Sequence, residues 1–373
     1  MQTQVIKLDA AKINSAKVRQ AAKLVDAGEL VAFPTETVYG IACRVEADSL
    51  IKLNNLKGRA ADKPYTLHIG QKSDVEKFVG VISLKAGKLI KTAWPGPLTI
   101  VFELDAAAVD KQRKRLAGPV FETLYKDNCI GIRCPDNPIA LKLLQMTKSA
   151  VVAPSANITG RAPAADASAV LAEFSGKIAL LLDGGPCKHK KSSTVVKIGK
   201  AGLQILRPGV YTLPILEEMS CVKFLFVCTG NTCRSPMAEG IFSKYLSEKL
   251  GCEVDQLENK GYKIMSAGTV GLVGLSPTPE AIAACSAKGI DITAHKSRAL
   301  TDQLIEECDF IFVMSRSHHR RVRELNRKAV NKCLLLLEYK DIPDPVGQAQ
   351  AVYDDCSELI EKGVKKRIGR LLI

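Results

Sequence analysis

No run of eighteen apolar residues interrupts this 373-residue chain, and its first eleven residues, Met1 to Ala11, lack the apolar centre of a secretion signal. A chain without a membrane partner, working in the cytoplasm, is expected. Histidine is scarce at five residues, and none of the twelve cysteines forms a C-x2-C pair. Zinc sites and secreted disulfide scaffolds therefore lack their usual ligand patterns, no metal-binding residue is nominated, and most thiols are expected to be buried in a reducing compartment.

What the chain has in abundance is length and positive charge. At 373 residues it exceeds one ordinary core, so two domains are expected. The net charge of +14 is uneven: residues 1–213 carry +13 and residues 214–373 carry +1. Such a field favours polyanions such as nucleotides, pyrophosphate or RNA, although a solvated lysine-rich surface gives the same count. The runs Lys111-Gln112-Arg113-Lys114-Arg115 and Lys188-His189-Lys190-Lys191 read as flexible loops with a phosphate or RNA role open to them.

The sharpest local signal is Val227-Cys228-Thr229-Gly230-Asn231-Thr232-Cys233-Arg234-Ser235-Pro236, between the apolar Phe224-Leu225-Phe226 and a helical pattern. A strand that turns tightly into a helix aims backbone N–H groups and the positive end of the helix dipole at one point, where an oxyanion fits. A cysteine placed there gains thiolate character, which makes Cys228 the candidate nucleophile. Arg234 offers a planar fork to two phosphate oxygens. Ser235 suits a helix N-cap or a donor to the thiolate, and Pro236 the first helical position. Cys233 is placed either to form a protective disulfide with Cys228 or simply to pack. Cysteine-based phosphoryl transfer also needs an acid, and Asp344 in the Asp341-Ile342-Pro343-Asp344-Pro345 turn supplies one.

Taken with Ser266-Ala267-Gly268-Thr269, His295-Lys296-Ser297-Arg298 and Val313-Met314-Ser315-Arg316-Ser317-His318, these motifs give residues 221–373 a resemblance to the low-molecular-weight protein phosphatases. That resemblance implies catalysis by Cys228, Arg234 and Asp344, with Thr229, Gly230, Asn231, Thr232, Cys233 and Ser235 forming the phosphate loop. Tyrosine-specific members commonly carry a bulky aliphatic residue where Thr232 stands, and aromatics after the Asp-Pro where this chain has Val346-Gly347. Without aromatics a phosphotyrosine ring has little to stack on. The pattern looks more like the protein-arginine phosphatase branch, with phosphotyrosine as the alternative.

In the first half, alternating strand and helix signals suggest a large mixed sheet, with strands at Leu30–Phe33, Tyr65–Ile69, Leu98–Phe102, Ile130–Arg133, Val151–Ala153 and Thr194–Ile198. Two clusters look chemical. Lys57, Arg59 and Lys63 place three cations in seven residues, as a polyphosphate would need or as any solvated loop would have. Ser155 and Asn157 follow an apolar strand, where a ligand meets a strand's carboxyl end or where an ordinary turn forms.

Together with Pro34-Thr35-Glu36-Thr37-Val38-Tyr39-Gly40, Trp94-Pro95-Gly96-Pro97, Gly131-Ile132-Arg133-Cys134-Pro135, Ser193-Thr194-Val195-Val196 and Leu206-Arg207-Pro208-Gly209, they make residues 5–212 resemble the YrdC-like threonylcarbamoyl-AMP synthases. The resemblance implies that ATP, L-threonine and bicarbonate become threonylcarbamoyl-adenylate and diphosphate. ATP is then a substrate, accompanied by Mg2+, and the adenylate passes to tRNA-modification enzymes. It assigns ATP binding to Lys57, Arg59, Lys63, Ser155, Asn157 and Arg207, and threonine binding to Thr35, His68, Arg133 and Ser193.

The segment Asp105 to Asn128 is left without a role. The stretch Pro208 to Ser220, punctuated by Pro208 and Pro214, reads as a short tether, with residues 214–220 as the linker between domains 1–213 and 221–373. The expected fold is α/β throughout: a YrdC-like domain with a large mixed twisted sheet, then a small parallel-sheet three-layer domain of the low-molecular-weight phosphatase type. A bifunctional enzyme acting also on phosphoproteins is the reading. Its rival is a basic RNA- or nucleotide-binding domain fused to a protein-tyrosine phosphatase.

Overall fold

The computed structural model describes residues 2–60, 63–116, 118–199 and 202–372. The chain divides into two compact units, one ending at Ser220 and the other starting at Cys221.

The first unit is built on an eleven-stranded mixed sheet. Its order runs Gln4–Lys7, Leu180–Asp183, Val31–Phe33, Gly40–Arg44, Val151–Val152, Leu67–His68, Cys129–Arg133, Leu98–Glu103, Thr194–Gly199 and Gly202–Arg207, with Tyr125–Lys126 paired onto Cys129–Arg133. Side chains alternate between its faces. Ala32, Ile41, Leu67, Ile100, Ile132 and Val196 enter one apolar core. On the opposite face Val31, Phe33, Ala42, Val151 and Leu182 form a second core with helices Ser15–Asp26 and Pro138–Met146.

That second face turns polar further along the sheet. The register sets His68 beside Arg133 and Arg133 beside Thr99. All three are buried. A row of polar side chains inside a sheet is costly unless it serves a ligand or is fully paired.

The second unit has a four-stranded, fully parallel sheet in the order Tyr262–Gly268, Val222–Cys228, Phe310–Val313 and Cys333–Leu335. On the central strand Leu225 and Val227 face one core. Phe224 and Phe226 face the other way, against Phe242 of helix Arg234–Leu250 at ring-centroid separations of 4.7 and 5.2 Å. This alternation puts Cys228 at the strand's carboxyl end, on the same side as that helix. Among the described residues no helix is long and apolar enough to cross a membrane.

Two expectations need correction. Residues 214–220 are not a tether: Leu213–Ser220 is a helix whose fully buried Leu216 joins the first unit's core. Pro214 is compatible because N–H groups in a helix's first turn have no intrahelical acceptor. The basic run from Lys111 to Arg115 is not a flexible loop but the end of helix Ala106–Arg115, capped by Asp105. There Gln112 and Arg115 both donate to the Lys77 carbonyl, at 3.0 and 2.9 Å, and Arg113 lies over the Phe121 ring at 4.3 Å.

Leu216→Ala should lower the first unit's stability by about 2–5 kcal/mol, the cost of emptying a buried leucine site. Denaturation followed by the fluorescence of Trp94, the sole tryptophan, reads that unit selectively. A free tether would show no change.

Candidate active sites

In the first unit, helix Ala47–Lys57 ends at Gly58, whose left-handed φ of 56° reverses the chain and leaves Lys57 pointing inward. The Lys57 ammonium donates to the carbonyls of Ser155 and Asn157, each at 2.5 Å. Lys57 therefore braces the Pro154–Gly160 turn as well as charging it. Burial, reinforced by nearby Arg59, pushes its pKa down to about 8. Ser155 Oγ donates to Asn157 Oδ1 at 2.5 Å, and Asn157 Nδ2 donates to the Ile158 and Arg161 carbonyls. Arg59 lies over the Tyr65 ring at 4.6 Å and donates to the Pro64 carbonyl at 3.0 Å. Lys63 is exposed.

Arg133 donates through Nη2 to Glu36 Oε1 at 2.7 Å and to Thr37 Oγ1 at 2.6 Å. Glu36 Oε2 also accepts from the Asp136 N–H at 2.9 Å. Glu36 is the candidate site residue that motif reading passed over, although it stands within the quoted Pro34–Gly40 string. A buried arginine needs a counter-charge, and that rule would have pointed to it. Thr35 is buried, but its hydroxyl accepts from Thr37 N and Val38 N and donates to the Val38 carbonyl at 2.6 Å. It shapes its own loop.

Ser193 Oγ lies 3.2 Å from Thr99 Oγ1 and accepts from Arg207 Nη2 at 3.1 Å, which joins Ser193, Thr99 and Arg207 to the polar row. His68 Nδ1 faces the Thr66 carbonyl at 3.1 Å and so carries a proton. Burial first, then the Arg133 charge, pushes the His68 pKa down to about 3, keeping the ring neutral.

In the second unit the strand-to-helix loop wraps Cys228. Its Sγ lies 2.9 Å from Ser235 Oγ and accepts the Asn231 N–H at 3.2 Å. Ser235 is thus a partner of the sulfur and not the N-cap, since the helix starts at Arg234 after Cys233, and Pro236 is its third residue. Asn231 takes a left-handed φ of 59°. Its side chain secures that turn, donating to Ser235 Oγ and Ser266 Oγ and accepting from the Arg298 N–H. Gly268 is required beside it, because a Cβ there would sit 2.7 Å from the Thr229 carbonyl oxygen.

Arg234 is buried, donating through Nη2 to Thr229 Oγ1 at 3.1 Å and to Asp344, and through Nη1 to the Ile342 carbonyl at 3.2 Å. Thr229 Oγ1 also meets His318 Nε2 at 2.9 Å, and His318 Nδ1 meets Ser315 Oγ at 2.8 Å. Cys233 Sγ lies 3.6 Å from the hydroxyls of Thr278 and Tyr353. Both Cys228 and Cys233 are free thiols. Thr232 is half-buried and Gly230 lies in the same loop.

The expectation of ready thiolate formation meets a counterforce. Burial pushes the Cys228 thiol up, against the downward pull of the Ser235 hydroxyl and N–H, Arg234 and the Asn231 N–H.

Four buried side-chain atoms among the described residues have no hydrogen-bond partner: Arg59 Nε, Gln112 Oε1, Arg133 Nε and Arg234 Nε. Three of the four belong to arginines nominated as site residues, Arg59 and Arg133 for substrate binding and Arg234 for catalysis. A buried guanidinium N–H left open is a place for a ligand's oxygen.

Fold and sites together define a two-unit α/β chain with a buried, carboxylate-paired arginine at the centre of a polar cluster in each unit. Residues 23–209 match the Sua5/YciO/YrdC family, described as telomere recombination, and residues 223–371 match the low molecular weight phosphotyrosine protein phosphatases. With half its length matched, the chain belongs to the Sua5/YciO/YrdC family, and it carries a low molecular weight phosphatase domain after that region.

Threonylcarbamoyl-AMP synthase from Bacillus subtilis (strain 168) is 36% identical over 57% of this chain. The match covers only 58% of that relative's length. The structure of Pyrococcus abyssi Sua5 complexed with L-threonine is similar in fold, at a TM-score of 0.52 and 22% identity over 97% of this chain and 98% of that one. The structure of a YwlE mutant from Bacillus subtilis aligns with 40% of this chain and 98% of its own, at 30% identity and a TM-score of 0.36.

Because folded His68 stays neutral down to about pH 3 while the unfolded side chain takes a proton near 6.5, the first unit should lose stability as pH falls through that window. His68→Gln should flatten the dependence, read from urea midpoints by Trp94 fluorescence at pH 7 and pH 5. An unaltered slope would mean that His68 is not held neutral.

Proposed function

We propose that the chain is a bifunctional enzyme. Its first unit makes L-threonylcarbamoyl-adenylate and diphosphate from ATP, L-threonine and bicarbonate, and its second is a cysteine-dependent protein phosphatase that favours phosphoarginine. The observation that carries the reading is the set of open Nε–H groups on Arg59, Arg133 and Arg234, within the clusters that the two family likenesses nominate.

In the first unit the Arg133 guanidinium, fixed by Glu36 and Thr37, offers its Nε–H to the threonine carboxylate. The threonine amine captures bicarbonate carbon as a carbamate with loss of hydroxide as water. The carbamate oxygen attacks the α-phosphorus, and diphosphate leaves. Lys57, Arg59 and Arg207 supply the positive charge that steadies it, with Ser155 and Asn157 shaping the nucleotide's seat. A Mg2+ carried by the nucleotide would add positive charge to that which Lys57, Arg59 and Arg207 supply. The adenylate is handed to enzymes that modify tRNA.

In the second unit a phosphoryl dianion competes with Asp344 for the Arg234 fork. Displaced from Arg234, the Asp344 carboxylate takes up the proton released by the Cys228 thiol and passes it to the leaving atom as the sulfur bonds phosphorus and the bond to the leaving atom breaks, and then draws a proton from the water that hydrolyses the phosphocysteine and frees the sulfur. Ser235 and the Asn231 N–H hold the sulfur. Half-buried Thr232 and exposed Val346 leave no aromatic platform for a tyrosine ring, which supports a slim phosphoguanidinium as substrate. A nucleophilic thiol of this kind works in a reducing compartment, so the cytoplasm is where we place the chain.

Purified protein incubated with ATP, L-threonine and bicarbonate should yield the adenylate by mass analysis, with diphosphate release that depends on threonine. A pure nucleotide or RNA binder would release none. Cys228→Ser should abolish phosphatase turnover and leave adenylate formation intact. Thr232→Ile should move preference from phosphoarginine toward phosphotyrosine peptides, and an unmoved ratio would overturn the pocket assignment.

A further inference from the structure

Helix Arg316–Leu325 carries a feature that neither activity uses. Its inner face buries His318 and Val322. Arg316, Arg320 and Arg323, spaced i, i+4 and i+7, share the outer face, and Arg327 follows in the next short turn. All four are exposed.

Residues 316–328 hold six cations against the single acid Glu324, which lies 3.7 Å from Arg321. In a half-chain of net charge +1 this is a marked concentration of charge. Among the described residues Arg320, Arg323 and Arg327 have neither ion pair nor hydrogen-bond partner for their guanidinium groups. Three like charges held together in this way repel one another in the absence of a polyanion.

A second feature lies at the start of this stripe. A pocket of about 340 Å³ is lined there by Arg316, His319, Leu334, Glu338, Tyr339 and Arg367. Tyr339 is 84% exposed, an unusual placement for an aromatic ring without a partner. The pocket's one carboxylate, Glu338, is neutralised by Lys366 at 2.7 Å, by Arg367 at 3.7 Å and by Arg370. His318, which reaches the catalytic loop, lies on the helix face away from the stripe, so an occupant of the stripe leaves Cys228 open.

We propose that this face binds single-stranded RNA, with backbone phosphates on the arginine stripe and a base stacked on Tyr339 in the pocket. Guanidinium forks match phosphate oxygens, and an exposed ring beside a basic track is the arrangement that single strands use. An acidic peptide fits less well, because Arg316, Arg320, Arg323 and Arg327 are cationic and the apolar lining is confined to Cys333, Leu334 and Leu335 in the pocket. The choice of RNA over DNA rests on the synthase reading, whose product is delivered to RNA.

The test is fluorescence anisotropy of the full chain with a labelled oligouridylate of about 12 nucleotides, over a range of salt concentrations. Arg320→Gln/Arg323→Gln should weaken binding about tenfold and reduce the slope of log affinity against log salt by about 1.4, two phosphate contacts' worth on a single strand. Tyr339→Ala should weaken binding severalfold and leave the slope unchanged. Phosphatase turnover of a small aryl phosphate and adenylate formation should stay at wild-type levels in both variants, which separates this result from failure of either activity or of folding.

The proposal is overturned if the wild-type chain does not bind the oligonucleotide or if the double variant keeps wild-type affinity and slope. It is equally overturned if single-stranded DNA of the same length binds more tightly, or if the double variant loses an acidic peptide while keeping RNA.

Discussion

A guanidinium group taken out of water has five N–H donors to satisfy, and among the described residues three arginines each keep a buried Nε–H open. Arg133 and Arg234 are each almost wholly enclosed and each is held by a carboxylate, Glu36 in one unit and Asp344 in the other. The carboxylate keeps the charge tolerable inside the fold, and the remaining Nε–H makes the arrangement incomplete. Everything else around the two sites serves to hold these groups: the Pro34–Gly40 loop fixes Glu36 and Thr37, and the Cys228–Arg234 loop fixes Thr229.

The two pairs differ in a way that suits different chemistry. Glu36 is buried and also accepts from the Asp136 backbone, which holds the Arg133 guanidinium in one position, as the proposed binding role requires. Asp344 has a 40% exposed side chain on a turn, so it can leave Arg234 when a more strongly charged anion arrives. A binding arginine needs rigidity, whereas a catalytic acid has to be released at the moment it is used.

Much of this was legible in the chain itself. The Cys228 to Arg234 spacing, the Asp344 turn, and the Lys57–Arg59 and Ser155–Asn157 pairs are local strings whose residue types imply their surroundings, and the strands that carry them alternate plainly. Other features arise from residues far apart in sequence. Glu36 acquires its meaning only from a side chain 97 positions away. The 105–128 segment looked purposeless because its polar helix exists to satisfy the Lys77 carbonyl and cover Phe78. The helix at Leu213–Ser220 was hidden by a proline that a first turn tolerates. Burial of Cys228, which opposes the very ionisation its loop promotes, follows from the sheet behind it and not from the motif.

The most direct measurement is a proton–nitrogen NMR spectrum of the arginine Nε–H groups during titration with inorganic phosphate and, separately, with L-threonine. Phosphate should shift the Arg234 resonance and leave Arg133 in place, while threonine should shift Arg133 and leave Arg234 in place. If neither resonance moves, or if both follow the same ligand, the open donors are not substrate contacts and the account fails.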